Sequence, residues 1–276
     1  MVRSIRMIKN SIIILAVFIL STSCFDLGTT TTEAAKQKSL TDTSKVELQK
    51  TVKLDANHID SIASGLIFVP KSDYLQTKQQ IEDKRVVYAA LYEKAADQQK
   101  RDSVLNEVSA YFTKALLNEI IPYWYGTEWD FNGYTDIPNE GEIACGYFVS
   151  TTLKHMGLQL NRYKMAQQAS KLEVESIAIQ KNKVIFFGQE ELSKHIKNLS
   201  EGLYIVGLDN HVGYLYKHKG LSYFVHSSYV TDRVMIEYTN TSEAFPSSLY
   251  YLAPITANKE LLEKWLLGQP IKIYTS

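Results

Sequence analysis

Residues 141–157 have the sequence GEIACGYFVSTTLKHMG, and the rest of the chain can be understood from this stretch outward. Side chains that suit a buried face recur three or four positions apart, the spacing of an α-helix; they are Tyr147, Phe148, Thr151, Thr152 and His155. Lys154 suits the last turn, where the carbonyls attract positive charge, and Gly157 suits the left-handed residue that follows a helix. We therefore predict a helix over residues 144–156.

The first turn of this helix contains a cysteine, Cys145. The positive end of the helix dipole favours the thiolate form of a cysteine at that position. Such a thiol can act as a nucleophile if another side chain supplies a base. A histidine is a common base for such a thiol.

The amino terminus has the pattern of an export signal. Three basic residues precede the apolar run 12–20, which is too short to span a bilayer, and small residues then lead to Cys24. This pattern resembles a bacterial lipoprotein signal, which implies removal of residues 1–23, lipidation of Cys24 and anchoring to a membrane of the bacterial cell envelope. A plain signal peptide with an incidental cysteine is the alternative.

The composition is that of an ordinary globular protein, with 276 residues, 45% of them apolar and 22% charged. Residues 1–23 contain three of the 30 basic residues and none of the 30 acidic ones, so the mature chain has 27 against 30, a net charge of −3. Such a chain lacks the basic excess typical of nucleic-acid-binding proteins. If Cys24 is lipidated, Cys145 is the one free thiol of an exported protein, and it is either buried and inert or chemically active.

We expect four segments along the chain. After the signal peptide 1–23, residues 24–45 are polar and threonine-rich and form a flexible tether. Residues 46–100 form an N-terminal helical segment that either serves for packing and spacing or covers the catalytic groove. Residues 101–276 form the principal domain.

Apolar periodicity and turn residues predict the secondary structure. The predicted helices are a short one near 60–66, one at 72–99, one that starts at Asp102 or Ser103 and ends at Pro122, and others at 161–170, 189–199 and 261–266. The predicted strands are 203–208, 211–216, 222–226, 234–238 and 249–253. Helices followed by antiparallel strands predict an α+β fold.

An aromatic loop, YWYGTEWDFNG, occupies residues 123–133. Loops normally contain few large apolar side chains, so this one either folds over the core or forms the wall of a groove that contacts a ligand. Tyr123, Trp124, Gly126 and Trp129 are the candidate substrate-binding residues.

Two of the six histidines, His211 and His226, lie on predicted strands joined by a short turn. A two-residue turn at 218–219 places position 211 opposite 226, and a turn at 219–220 places position 213 opposite 226. Either register puts both imidazoles on one face of the sheet, whereas a three-residue turn with a bulge could separate them. A shared face suits a base and the residue that orients it, and two half-buried strand histidines are the simpler alternative.

The remaining histidines, His58, His155, His195 and His218, are expected at the surface. No histidine has zinc-ligand spacing relative to Cys145, so neither a metal site nor a cofactor is expected.

The order of these motifs resembles that of the NlpC/P60 cysteine peptidases, which are papain-like enzymes that cut peptides of the bacterial cell wall. The resemblance covers about residues 104–254 and rests on Cys145 at a helix start, HVGYLY at 211–216 and YFVHSS at 223–228. It implies that Cys145 is the nucleophile, His211 the base and His226 the residue that orients the imidazole. It also implies a papain-like fold with the nucleophile helix packed on an antiparallel sheet, and a peptidoglycan peptide as substrate.

The chain departs from the family pattern around the nucleophile. The family usually has Asp-Cys-Ser-Gly, whereas this chain has Ala144 before Cys145 and Gly146 after it, and only Gly126 stands where two glycines are common. The aspartate and serine help to bind substrate in the family, so its usual cleavage preference does not transfer. Two alternatives remain open: a non-catalytic cell-wall-binding lipoprotein of the same fold, and a related thiol amidase or acyltransferase with a different substrate.

Overall fold

The computed structural model describes residues 59–276. The expected signal peptide 1–23, Cys24, the tether 24–45 and His58 lie outside the described residues. The described part of the chain is a mixed α+β structure in which helices come first and an antiparallel sheet follows. Within it, no helix combines the length and the apolar character needed to cross a membrane.

The N-terminal helices begin and end where side chains cap them. Asp73 caps the second helix by accepting hydrogen bonds from the backbone N–H groups of Leu75 and Gln76, and Asp97 caps the third by accepting from Lys100. The prediction of one helix over 72–99 and a start at Asp102 or Ser103 was therefore wrong at the junction. The elements are α1 Ser61–Ser64, α2 Tyr74–Glu93, α3 Gln98–Ala115, a π-helical turn Leu116–Ile120 and α4 Ile121–Trp124.

Pro122 does not end the helical run, contrary to prediction. The backbone N–H of Ile121 bonds to the carbonyl of Leu116, so the wider π turn replaces the ordinary hydrogen-bond pattern just before the proline. Pro122 then lies in the first turn of α4, where the proline's missing N–H is tolerated.

The middle of the chain supplies α5 and the helices that follow it. The predicted helix 144–156 is confirmed as α5, Cys145–His155. The predicted helix 161–170 is shorter in the structure, where α6 ends at Ala166. A separate helix, α7, begins at Ser170 and was not predicted. The remaining helical elements are α6 Arg162–Ala166, α7 Ser170–Ala178, 3-10 turns Lys181–Lys183 and Gln189–Glu191, α8 Leu192–Asn198 and α9 Lys259–Leu266.

The sheet has six strands, all paired antiparallel. The five predicted strands are confirmed, and a short sixth at one edge was not predicted. The strands are β1 Ile185–Gly188, β2 Gly202–Gly207, β3 Val212–His218, β4 Leu221–Ser228, β5 Arg233–Tyr238 and β6 Leu249–Pro254. Their order in the sheet is β1-β6-β2-β3-β4-β5, so the β3–β4 hairpin lies inside the sheet.

Helix α5 packs on β3 and β4 and joins the sheet to the rest of the core. Its fully buried Phe148 and Val149 face the sheet side of the core, and Thr152 Oγ1 lies 2.8 Å from the carbonyl of Phe148 and 2.7 Å from Tyr214 Oη on β3. The start of α5, where Cys145 lies, is thereby held against the β3–β4 hairpin.

Helices α2 and α3 belong to the same compact unit as the sheet. Arg85 of α2 donates to the carbonyl of Leu266 at 2.8 Å, and Tyr92 Oη donates to Glu263 Oε1 at 2.9 Å, which ties α2 to α9. The expected boundary between 46–100 and 101–276 falls inside α3, so the structure does not divide the chain there.

Candidate active site

A tight turn fixes the relation between His226 on β4 and His211, which lies just before β3 and not on a strand as expected. Lys219 and Gly220 both have positive φ, 48° and 77°, which matches the two-residue turns that join twisted strands. Tyr214 faces Val225 in the register, and its continuation places Gly213 beside His226. Of the two predicted registers, the one with the turn at 219–220 is therefore correct. His211 and His226 share a face, as expected, and their rings are 5.0 Å apart.

The two imidazoles form part of a hydrogen-bonded chain. His211 Nε2 lies 2.8 Å from His226 Nδ1, and His226 Nε2 lies 2.9 Å from Glu237 Oε1. An ionised Glu237 can only accept a hydrogen bond, so His226 carries its proton on Nε2. The Nδ1 atom of neutral His226 then accepts, and His211 Nε2 donates to it. This order leaves the lone pair of His211 on Nδ1, which is buried and has no hydrogen-bond partner among the described residues.

Glu237, on β5, completes this chain and was not predicted from the sequence. Burial opposes ionisation of its carboxyl group, but hydrogen bonds from His226 and Ser242 outweigh that effect and hold its pKa below the usual value. The available signal was an acidic residue on a strand otherwise rich in apolar side chains. Identifying its partner required the pairing of β4 with β5, which puts His226 opposite Met235, two positions from Glu237.

Both histidines are neutral in the folded protein. Burial lowers the pKa of His211 well below its usual value, and the neighbouring His226 lowers it further. Burial also lowers the pKa of His226, although its hydrogen bond to Glu237 acts in the opposite direction. A base that is neutral at ordinary pH can accept a proton during a reaction.

Cys145 is the first residue of α5, and its sulfur accepts a hydrogen bond from the backbone N–H of Val212, the residue after His211. Burial raises the pKa of the Cys145 thiol to about 11, and the nearby Glu173 carboxyl group, when it is ionised, is the second cause. The backbone N–H groups of Val212 and Gly146 oppose this rise without cancelling it. The helix dipole favours the thiolate, as expected, but burial acts in the opposite direction and has the larger effect on the pKa of this thiol. The thiol and the imidazole are both neutral.

Cys145 and His211 line one cavity of about 720 Å³. Aromatic side chains form part of its wall, and the Tyr229 ring lies 5.2 Å from the His211 ring in an edge-on arrangement. Helix α7 and the segment before it form another part, which includes Glu173. The aromatic wall consists of Trp129, Phe131, Tyr147 and Tyr229.

Of the four candidate substrate-binding residues, only Trp129 lines this cavity. Tyr123 lies 2.9 Å from Thr77 Oγ1 through its hydroxyl, and Trp124 is fully buried and donates from Nε1 to Tyr74 Oη at 2.8 Å. Gly126 adopts a φ of 86° and donates its N–H to the carbonyl of Val234 at 2.9 Å. The prediction that these four residues line a groove was therefore wrong for Tyr123, Trp124 and Gly126, which pack against other parts of the protein. Only the second half of the aromatic loop lines the cavity.

Glu173 is a second residue that sequence reasoning missed, because α7 itself was not predicted. It is 3% exposed, lines the cavity, and its Oε2 atom has no hydrogen-bond partner among the described residues. Burial raises its pKa well above the usual value. A Cβ at Gly146 would lie 2.8 Å from Glu173 Oε1 and 2.9 Å from the carbonyl oxygen of Ala166, so only glycine fits there without a shift.

The three described histidines that were expected at the surface, His155, His195 and His218, are all partly buried. His155 Nδ1 lies 2.8 Å from Tyr74 Oη, and burial lowers its pKa to about 4. Within residues 59–276, no group of three or more His, Cys, Asp or Glu side chains is arranged to hold a metal ion.

The site thus combines a thiol at a helix start, an imidazole with a free lone pair, and two further groups that orient that imidazole. Such a set can carry out nucleophilic attack on a carbonyl carbon with proton transfer through His211. Comparison of the chain with protein-family models, with curated proteins and with solved structures gave no match.

Proposed function

We propose that this protein is a membrane-anchored cysteine hydrolase of papain-like, NlpC/P60 type, which cleaves amide bonds in peptides of the bacterial cell wall. The observation that carries the proposal is the unpartnered Nδ1 atom of His211, in the imidazole that lines one cavity with Cys145. The lipoprotein-like signal at Cys24 and the polar tether 24–45 support the anchoring and an envelope location.

The reaction would begin with attack of the Cys145 sulfur on the scissile carbonyl carbon while His211 Nδ1 takes the thiol proton. Because both groups are neutral at rest, proton transfer accompanies the attack. The hydrogen bond to His226, backed by Glu237, stabilises the imidazolium that forms. The backbone N–H of Cys145 is a candidate donor to the oxyanion, an interaction worth about 2.7–4 kcal/mol.

The second half of the reaction would return the enzyme to its starting state. His211 gives its proton to the leaving amine, and the C–N bond breaks to leave a thioester on Cys145. Water then attacks the thioester while His211 takes a proton from it, the C–S bond breaks to release the carboxylic acid, and His211 returns the proton to the Cys145 sulfur. Each step uses the same Nδ1 atom, which is why its freedom from other hydrogen bonds matters.

The decisive experiment is digestion of defined wall peptides, with the products identified by mass spectrometry. Cys145→Ala is expected to abolish turnover, because no other thiol lies in the cavity. The matched control is Lys154→Ala, an exposed position at the other end of α5, which is expected to keep full activity. Equal turnover by Cys145→Ala and the unmodified protein would contradict the mechanism.

The second candidate function is a non-catalytic wall-binding lipoprotein of the same fold. The raised pKa of the Cys145 thiol favours it, because a protonated thiol is a weak nucleophile. In that case the unmodified protein would bind wall peptides without forming product, and Cys145→Ala would bind them equally well.

A further inference from the structure

The described residues that line the cavity include carboxyl groups but no lysine or arginine. The carboxyl groups are those of Glu173 and Asp209. Asp209 is exposed and already accepts a hydrogen bond from the backbone N–H of Ser248 at 2.7 Å. Glu173 is buried, with one carboxyl oxygen that no described residue bonds. Asp209 therefore already has a hydrogen-bond donor, whereas one oxygen of Glu173 has none among the described residues.

An unpartnered polar atom at this depth requires an explanation. Buried polar groups in folded proteins nearly always have hydrogen-bond partners. Burial favours the neutral form of Glu173, but its place in the first turn of α7 and against the first turn of α5 at Gly146 favours negative charge, as would a bound ammonium group. A carboxyl group that faces a cavity in these surroundings is suited to a partner that comes from a ligand.

We propose that Glu173 is the specificity-determining acceptor for an ammonium group of the substrate, which it binds beside the amide that Cys145 attacks. The inference rests on the proposed function for the position of the scissile amide, although the binding itself does not require hydrolysis. The absence of lysine and arginine from the described cavity wall leaves the carboxyl group free for an incoming cation.

The aromatic wall fits the same ligand chemistry. Trp129 and Tyr229 line the cavity, and aromatic rings attract cations; Tyr147 also lines it, although the Arg162 guanidinium already lies 5.6 Å from the centre of its ring. The ammonium group could be the α-amino group of a peptide or the side-chain amine of a diamino acid. Both sources share the chemistry that Glu173 recognises, and selective acetylation distinguishes them.

The test measures binding by calorimetry in the full mature chain with Cys145→Ala, so that no ligand is consumed. The probe is a defined wall peptide that carries both kinds of amine, compared with the same peptide acetylated at the α-amine, at the side chain or at both. Blocking the recognised amine is expected to weaken binding by about 10- to 100-fold. Adding Glu173→Gln should remove that difference and leave the doubly acetylated peptide bound as before.

The matched control is Glu175→Gln, because Glu175 is buried on the same helix and does not line the cavity; its Oε2 atom makes no hydrogen bond to a described residue but lies 3.3 Å from Lys181 Nζ. It should keep the preference for the free amine. An undiminished preference in the Glu173→Gln protein would overturn the proposal, as would equal binding of all four peptides by the protein that retains Glu173. Equal binding of all four peptides can be measured without a Glu173 variant, so it would overturn the proposal even if that variant does not fold.

Failure of this inference can be told apart from failure of the proposed function. A preference for the free amine in binding, together with no hydrolysis by the unmodified protein, would refute the hydrolase and leave the Glu173 subsite intact. Hydrolysis of free and acetylated peptides at equal rates would refute the subsite and leave the hydrolase intact.

Discussion

At the scale of single residues, the direction of the hydrogen bonds decides what His211 can do. Glu237 accepts from His226, His226 accepts from His211, and the lone pair of His211 is left on Nδ1. The reverse order would place a proton on Nδ1, where an acceptor is needed. In the proposed reaction, Glu237 would be a positioning residue that acts on His211 through His226.

Replacing Glu237 with glutamine should disturb this order, because an amide can donate to His226 Nε2 as well as accept from it. His226 could then hold its proton on Nδ1 and reverse the chain. We expect kcat to fall by about 10²-fold, with KM nearly unchanged, because an imidazole in the wrong tautomer cannot accept the thiol proton. The control is Glu243→Gln, at an exposed position, which should change neither constant.

The same variant should change the pH profile. His211 must be neutral to accept a proton, and burial lowers its pKa, so the acid limb of kcat/KM is expected below pH 6.5, the ordinary value. The hydrogen bond and charge of Glu237 raise the pKa of His226, to which His211 is coupled. Removing that charge makes the imidazolium less stable, so the acid limb should move to lower pH. An acid limb at the same pH in both proteins would contradict this role for Glu237.

At the scale of elements, the site depends on the close approach of the two hairpin strands. A Cβ at Gly213 of β3 would lie 2.6 Å from the Phe224 ring and 2.9 Å from His226 Cβ. Glycine at this position is therefore what allows His226 to reach His211. The Phe224 ring also stacks on His226, with centroids 4.1 Å apart, so the two side chains would move together.

Gly213→Ala is expected to lower the free energy of unfolding by about 1–3 kcal/mol, the usual cost of overpacking a core. It should also reduce turnover, because the added methyl group displaces His226. Urea denaturation and peptide hydrolysis would measure the two effects. Gly188→Ala on β1 is the matched control, since its nearest atom, the carbonyl oxygen of Ser248, is 3.7 Å away. Equal stability of the two variants would contradict the packing argument.

At the scale of the whole molecule, the N-terminal helices complete the core around the site. Tyr74 of α2 accepts a hydrogen bond from the Trp124 indole and bonds to His155 at the end of α5. Trp124 is fully buried and His155 is partly buried, so loss of α2 would take away the hydrogen-bond partner of both side chains. Helix α2 also covers α3 and α9. These contacts make residues 59–97 part of the folded unit that supports Cys145.

A chain that starts at residue 98 should therefore fail to fold cooperatively, whereas one that spans residues 50–276 should show a single transition. Each buried polar group left unpaired costs about 1–3 kcal/mol, in addition to the apolar surface exposed. Thermal unfolding followed by circular dichroism would measure this. A sharp transition in the shorter chain at the same temperature would mean that α1 and α2 are dispensable.

Local patterns were enough to predict much of the fold and the centre of the site. Helix α5, five strands and the shared face of His211 and His226 all follow from periodicity and turn residues, because these depend on neighbours along the chain. Errors occurred at the junction of α2 and α3, at Pro122 and at α7. At the first of these a capping residue decided the boundary, and at Pro122 a π turn altered the usual hydrogen-bond pattern.

Tertiary packing decided the rest. The roles of Glu237 and Glu173 depend on the pairing of β4 with β5 and on the position of α7 against α5, which no local pattern specifies. Packing also placed Tyr123 and Trp124 outside the cavity. At Cys145, the helix dipole acts locally and favours a thiolate, but burial raises the pKa of the thiol to about 11. Burial is a property of the assembled core, so the protonation state of the candidate nucleophile is decided by the tertiary structure.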